Sequence, residues 1–240
     1  MSAEIYLCEA TQFQNDLIFQ EKLSVLSEPR RQKVLSCKTP SKKACSLAAG
    51  LLLSYALKEQ GLSEKDMLYA CTPKGKPYFP EYPALHFSLS HSYEYALCAV
   101  SDNEIGCDIE KKRPANHNIA RRFFTQSEQS YISHFKDPMQ QQAAFFRLWT
   151  MKESLLKAIG CGLTIPLDCF SIEMPDAKEP TTESEAVNMS SHPLAKSPDG
   201  SLYIFEEYSA LPDYCISCCQ PSETFRVVQI QCLSVGTLFT

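Results

Sequence analysis

The spacing of hydrophobic positions changes along the chain in a regular order. Residues Glu4–Cys8 carry the dense apolar run of a buried strand. From Leu17 to Cys37 the apolar side chains return at helical spacing, with an interruption at Pro29. Between Ser41 and Gln60, the residues Ala44, Leu47, Ala48, Leu51, Leu52 and Tyr55 fall on one helical stripe, and Gly61 ends it. Met67–Cys71, His86–Leu89 and Tyr95–Val100 then read as strands split by turns rich in Pro and Gly. The second half follows the same order. It has a strand at Ile105–Glu110, short helices at His117–Phe124 and Ser127–Phe135, and a long helix over Gln140–Ile159 closed by Gly160 and Gly162. Strands follow at Cys169–Met174, Leu202–Tyr208, Tyr214–Cys219 and Phe225–Gln231. Strand, helices, then strands in each half predicts an α+β fold of two similar lobes, 1–103 and 104–240. Pro175–Gly200 is polar and rich in Pro, Ser, Thr and acids, which predicts a long surface loop in the second lobe.

Composition narrows the class. With 44% hydrophobic and 21% charged residues the chain is globular rather than disordered. No stretch approaches the apolar length of a membrane span, and the N-terminus lacks the cationic start of a secretory signal, so the expected setting is cytoplasmic. Twelve cysteines then read as packed thiols. Only Cys215 and Cys218 have C-x-x-C spacing, and no second pair completes a zinc set. The net charge of -5 argues against a general nucleic-acid binder. A local basic run, with Arg30, Arg31, Lys33, Lys38, Lys42 and Lys43, is either a solvated face or a seat for an anionic small molecule.

Four segments carry candidate chemistry. In Gly106-Cys107-Asp108-Ile109-Glu110, strand alternation sends Asp108 and Glu110 to one face and Cys107 to the other. Paired carboxylates repel, and a hard divalent cation relieves that; an exposed strand face relieves it equally. In the helix from Trp149 to Lys157, residues Trp149, Glu153 and Lys157 share one face. That is either a surface ion pair or a partly buried acid and cation in need of partners, with Glu153 available to a metal and Lys157 to a phosphate. Ser90-His91-Ser92 follows a strand and opens a turn, where serine and histidine donate well to phosphate; a capping histidine is the plain reading. The turn Lys74-Gly75-Lys76-Pro77 presents backbone N–H groups beside a cation, a weak anion cradle by itself.

Taken together, these segments resemble the 4′-phosphopantetheinyl transferases of the surfactin-synthetase-activating, two-lobed type. The G-x-D-x-E signature stands as Gly106–Glu110, and the W-x-x-K-E-[SA]-x-x-K helix as Trp149–Lys157, with the Gly75-Lys76-Pro77 and Ser90-His91-Ser92 turns in the family's order. The resemblance implies pseudo-twofold α+β lobes with coenzyme A and Mg²⁺, or Mn²⁺ in its place, in the cleft between them. It implies transfer of the phosphopantetheine arm of coenzyme A to a serine of an apo acyl or peptidyl carrier protein, with adenosine 3′,5′-bisphosphate released, by a monomeric enzyme. It assigns the metal to Asp108, Glu110 and Glu153, the base to Glu153, and phosphate charge to Lys152 and Lys157. Contacts to coenzyme A fall to Arg30, Lys33, Lys76, Ser90 and His91. Arg113, Arg121 and Arg122 are a candidate docking surface for the carrier, or simply solvated. Two rival readings remain, an inactive carrier-binding relative and a Mg²⁺-dependent nucleotide hydrolase.

Overall fold

The computed structural model describes residues 3–114, 117–175 and 191–239. The chain forms two four-stranded sheets, each crossed by one long helix. The first half runs β1 (Glu4–Glu9), α1 (Asp16–Leu23), α2 (Glu28–Leu35), α3 (Pro40–Glu59), a two-stranded ribbon of β2 (Ala70–Cys71) and β3 (Pro77–Tyr78), then β4 (His86–Ser92) and β5 (Tyr95–Ser101). The second half runs β6 (Gly106–Lys111), α4 (His117–Phe123), α5 (Gln126–His134), α6 (Pro138–Ile159), β7 (Leu194–Lys196), β8 (Leu202–Glu207), β9 (Tyr214–Pro221) and β10 (Ile230–Leu233). The α+β expectation holds.

Local sequence explains most boundaries. Pro29 starts α2 rather than interrupting a longer helix, because a proline in the first turn has no N–H to lose. Pro40 and Pro138 likewise open α3 and α6, behind Thr39 and Asp137, whose side chains accept from Lys42 N and Met139 N. Gly160 ends α6 in the left-handed conformation at φ 66°.

Three layers of core follow from these elements. Apolar residues of α3 pack on Tyr6, Phe87, Ala96 and Cys98 of the first sheet. Those of α6 pack on Tyr203, Phe205 and Cys219 of the second. The faces turned away from the helices meet each other, Ile5, Leu7, Leu97 and Ala99 against Ile105, Cys107, Ile109, Ile216 and Cys218. All twelve cysteines are free thiols, and eight are buried in these layers.

Three expectations are corrected. β10 pairs in parallel with β1, at the edge of the first sheet, so the last strand belongs with the first half and a cut between 103 and 104 does not describe the chain. Cys169–Met174 is not a strand; it makes one isolated bridge, Glu173 to Leu194. Of the predicted loop, 176–190 lies outside the described residues, while Leu194–Lys196 is the edge strand β7 on β8.

The two sheets meet along their edge strands. β4 ends one sheet and β6 ends the other, and no backbone ladder joins them. Serine side chains do so instead. The hydroxyls of Ser88, Ser90 and Ser92, alternate residues on β4, accept the outward N–H groups of Cys107 (3.0 Å), Ile109 (3.4 Å) and Lys111 (3.1 Å) on β6. Period-two alternation brings all three to one side of β4, and they satisfy donors that an edge strand otherwise leaves open.

Candidate active site

Gly106 is where β6 meets α6. A Cβ there would lie 1.9 Å from the carbonyl oxygen of Ser154, so only glycine lets the strand approach the helix backbone this closely. That approach sets Asp108 and Glu110 of β6 against Glu153 and Lys157 of α6. Lys157 Nζ donates to Asp108 Oδ1 at 2.7 Å and to the carbonyl of Cys107 at 3.1 Å. Ser90 Oγ donates to the same Asp108 oxygen at 2.7 Å, and Ser92 Oγ to Glu110 Oε2 at 2.9 Å. Arg113 Nη1 lies 3.7 Å from Glu110. The expected alternation holds, since Cys107 is buried on the opposite face with its Sγ on the carbonyl of Ser88.

Two of the carboxylates, Glu153 and Glu110, are shifted by their surroundings. Burial, then the Asp108 charge, pushes Glu153 up to about 6, against the pull of Lys157. Glu110 is raised by the same two causes and lowered by its Ser92 hydrogen bond. Burial works against the Lys157 ammonium, but Asp108 and the other nearby charges outweigh it and its pKa rises.

Beside this acidic cluster lies a cavity of about 590 Å³. Among the described residues five cations line it, Arg30 and Lys33 of α2, Lys74 and Lys76 of the β2–β3 turn, and Lys157 of α6, and no carboxylate does. Arg30 is buried, and its Nε has no hydrogen-bond partner. Lys76 reaches across the lobes to the carbonyl of Ala158 and packs along Gly160, where a Cβ would fall 2.7 Å from Lys76 Cδ. Burial pushes the Lys76 pKa down. An electropositive cleft of this kind favours a polyanion. Lys157 belongs to both halves of the site, lining the cavity while holding Asp108.

Other sequence-predicted residues are placed differently. Lys152 is fully buried on another face of α6, where Nζ meets Glu128 Oε1 at 2.9 Å and the carbonyls of Leu167 and Phe170 at 2.6 and 2.7 Å. One residue along a helix turns the side chain by about 100°, so Lys152 points into the second core and away from the site that Glu153 faces. Ser90 is buried in the seam and does not line the cavity. His91 lies within β4, paired with Ala96, rather than opening a turn. It lies beside the cluster, where burial, then the Lys157 charge, pushes its pKa down. Trp149 packs on Phe123, Phe124 and Phe145 and takes no part in the site.

The sequence placed Lys74 in an anion-cradling turn and Ser92 in a phosphate-donor turn, but it did not show that Ser88, Ser90 and Ser92 would form the seam on β6. A signal was present for the serines, because Ser88-x-Ser90-x-Ser92 on a strand puts three hydroxyls on one side.

Chemically, the acidic cluster suits a hard divalent cation. Its donors are all carboxylate oxygens, and Asp108 Oδ2 is buried with no hydrogen-bond partner. Among the described residues no three His, Cys, Asp or Glu side chains are yet drawn together as a metal ligand set; the Lys157 ammonium meets the Asp108 charge instead.

Two α+β lobes with a cation-lined cavity beside a carboxylate cluster define an arrangement suited to a polyanionic ligand. Comparison with known proteins narrows this class. The model of the 4′-phosphopantetheinyl transferase superfamily matches residues 104–219. A 4′-phosphopantetheinyl transferase of Bacillus subtilis is 42% identical over 140 residues, 54% of this chain and 62% of that one. The transferase Sfp of Bacillus subtilis strain 168 is 39% identical with the same coverage. The transferase ffp of Bacillus subtilis is 36% identical over 154 residues, 63% of this chain and 68% of that one. The chain thus spans about three-fifths to two-thirds of the length of these relatives. It belongs to the 4′-phosphopantetheinyl transferase superfamily.

Proposed function

We propose that this chain transfers the 4′-phosphopantetheine group of coenzyme A to a serine hydroxyl of an apo acyl or peptidyl carrier protein and releases adenosine 3′,5′-bisphosphate. The observation that carries this reading is Lys157, which lines the cationic cavity and holds Asp108 of the acidic cluster at 2.7 Å. A substrate with one strongly anionic end and a reacting pyrophosphate needs both halves side by side. The relatives' printed names say transferase, which supports a group acceptor other than water over the hydrolase reading.

Arg30, Lys33, Lys74 and Lys76 would hold the nucleotide phosphates, Arg30 by a guanidinium whose Nε is still free to donate. Asp108, Glu110 and Glu153 would hold Mg²⁺, or Mn²⁺, and the ion when bound neutralises charge on the pyrophosphate. Lys157 stands where it can meet oxygen charge at the reacting end. Glu153 accepts the proton of the carrier serine as its oxygen attacks the β-phosphorus and the bond to the leaving adenylate phosphate breaks. In the metal-free protein burial raises the Glu153 carboxyl to about 6, and a bound cation would favour its ionised, proton-accepting form. His91, beside Lys157, and Arg30 and Lys33 are the candidate contacts for the 3′-phosphate.

No helix among the described residues is long and apolar enough to cross a membrane. Free thiols and a coenzyme A substrate fit a cytoplasmic enzyme, and two fused lobes supply a complete cleft within one monomer.

The direct test incubates the protein with an apo carrier domain, coenzyme A and Mg²⁺, followed by intact-mass spectrometry of the carrier. One added phosphopantetheine per carrier supports the proposal. Consumption of coenzyme A with no mass gain on several carriers overturns it in favour of the hydrolase.

A further inference from the structure

Glu110 is held from the other lobe. Its Oε2 accepts from Ser92 Oγ at 2.9 Å, and that same hydroxyl accepts the Lys111 N–H at 3.1 Å, so Ser92 grips both the side chain and the following backbone. Ser92 is itself buried at the last position of β4. Further bonds fix the turn after it. The carbonyl of Tyr93 accepts from Cys45 Sγ at 2.7 Å. Glu94 Oε2 takes the Lys111 ammonium at 2.9 Å and the Tyr214 hydroxyl. The Lys111 ammonium also lies 5.1 Å from the Tyr93 ring and 5.7 Å from that of Tyr214.

This grip is held against backbone preference. Tyr93, at φ 52°, is the one non-glycine left-handed residue among the described residues, and a bulky residue there is disfavoured. Such strain persists only where the surroundings over-determine it, and it concentrates at functional sites. Here the surroundings are Lys111 and Tyr214 of the second lobe clamping a turn of the first. What the clamp fixes is the position of Ser92.

We infer that Ser92 is a positioning residue for Glu110, setting this carboxylate for a divalent cation from across the lobe seam. The inference rests on the reading of Asp108, Glu110 and Glu153 as cation ligands. Asp108 has the parallel arrangement with Ser90, but it also has Lys157 to hold it. Among the described residues Glu110 has Ser92 and the longer Arg113 contact, so its orientation leans on the serine. An outer-shell donor of this kind fixes a ligand's orientation, and its loss typically costs roughly ten- to a hundredfold in metal affinity.

The test measures Mn²⁺ binding by electron paramagnetic resonance, coenzyme A binding in EDTA, and thermal unfolding, on the full chain. Ser92→Ala should weaken Mn²⁺ roughly tenfold and leave coenzyme A affinity in EDTA unchanged, and Ser92→Thr should restore Mn²⁺ binding. Ser88→Ala is the control. It removes a seam bond to the Cys107 N–H and touches no carboxylate, so it should keep wild-type Mn²⁺ affinity. The inference is overturned if Ser92→Ala binds Mn²⁺ like wild type, or if Ser88→Ala weakens Mn²⁺ equally, which would mark a merely structural seam. A wild-type protein that binds no Mn²⁺ fails the cation reading itself, a separate and distinguishable result.

Discussion

The α-carbon of Gly106 faces the carbonyl of Ser154 so closely that a methyl group added to it would sit 1.9 Å from that oxygen. The nearest atoms are helix backbone, which cannot rotate away. Gly106→Ala must therefore push β6 off α6, separating Asp108 from Lys157. The expected cost is about 3 kcal/mol of stability, read by chemical denaturation. A variant that keeps wild-type stability would mean the strand and helix can part freely.

Lys152 stands in the family motif but serves the second core. Lys152→Met strands the buried Glu128 carboxylate, which also accepts from the backbone of Ile172 and Thr125. The expected loss is about 3–5 kcal/mol. Adding Glu128→Gln should recover part of it. Below its unfolding temperature the double variant should bind coenzyme A with wild-type affinity, measured by calorimetry. Weakened binding in a stably folded variant would put Lys152 back in the site.

Glu153 should cost stability in the metal-free protein. Its folded pKa of about 6 lies above the ordinary 4.5, so the fold disfavours the ionised form. The penalty grows as pH rises from 4.5 through 6 and is full above that. Glu153→Gln should be more stable than wild type by up to about 2 kcal/mol at pH 7.5 in EDTA, with the gain gone near pH 4. The same variant should lose transfer. Denaturation at the two pH values checks the sign, and a pH-independent gain would contradict it.

Arg30 offers a buried guanidinium to the cavity, its Nε without a hydrogen-bond partner. Arg30→Gln should weaken coenzyme A roughly tenfold or more, as for a lost charge-assisted hydrogen bond. The loss should be smaller for 3′-dephospho-coenzyme A. Equal losses for both ligands would remove Arg30 from the 3′-phosphate.

Much of this was legible along the chain because it depends on local geometry. The period of two on Gly106–Glu110 pairs Asp108 with Glu110, and the helical repeat pairs Glu153 with Lys157. Both pairings survive folding, since strand pleat and helix pitch do not depend on what lies opposite. Lys152 was misplaced for the same reason. Its neighbour's role says nothing of its own, because adjacent helical residues face different layers, and only Glu128 and two loop carbonyls, from elsewhere in the chain, decide where it ends. The strand over Phe225–Gln231 failed differently. Its apolar run permitted pairing, but the partner, β1, lies at the far end of the sequence.

The sequence by itself determined the order of the elements, the α+β class, and the faces on which the acids and Lys157 lie. Only the tertiary structure decided that two edge strands would meet through Ser88, Ser90 and Ser92, that five cations from three elements would line one cavity, and that Glu110 would be held from the opposite lobe. The dividing line is physical. Backbone periodicity is written in neighbouring residues, whereas the satisfaction of edge N–H groups, buried charges and carboxylate lone pairs depends on what the rest of the chain brings beside them.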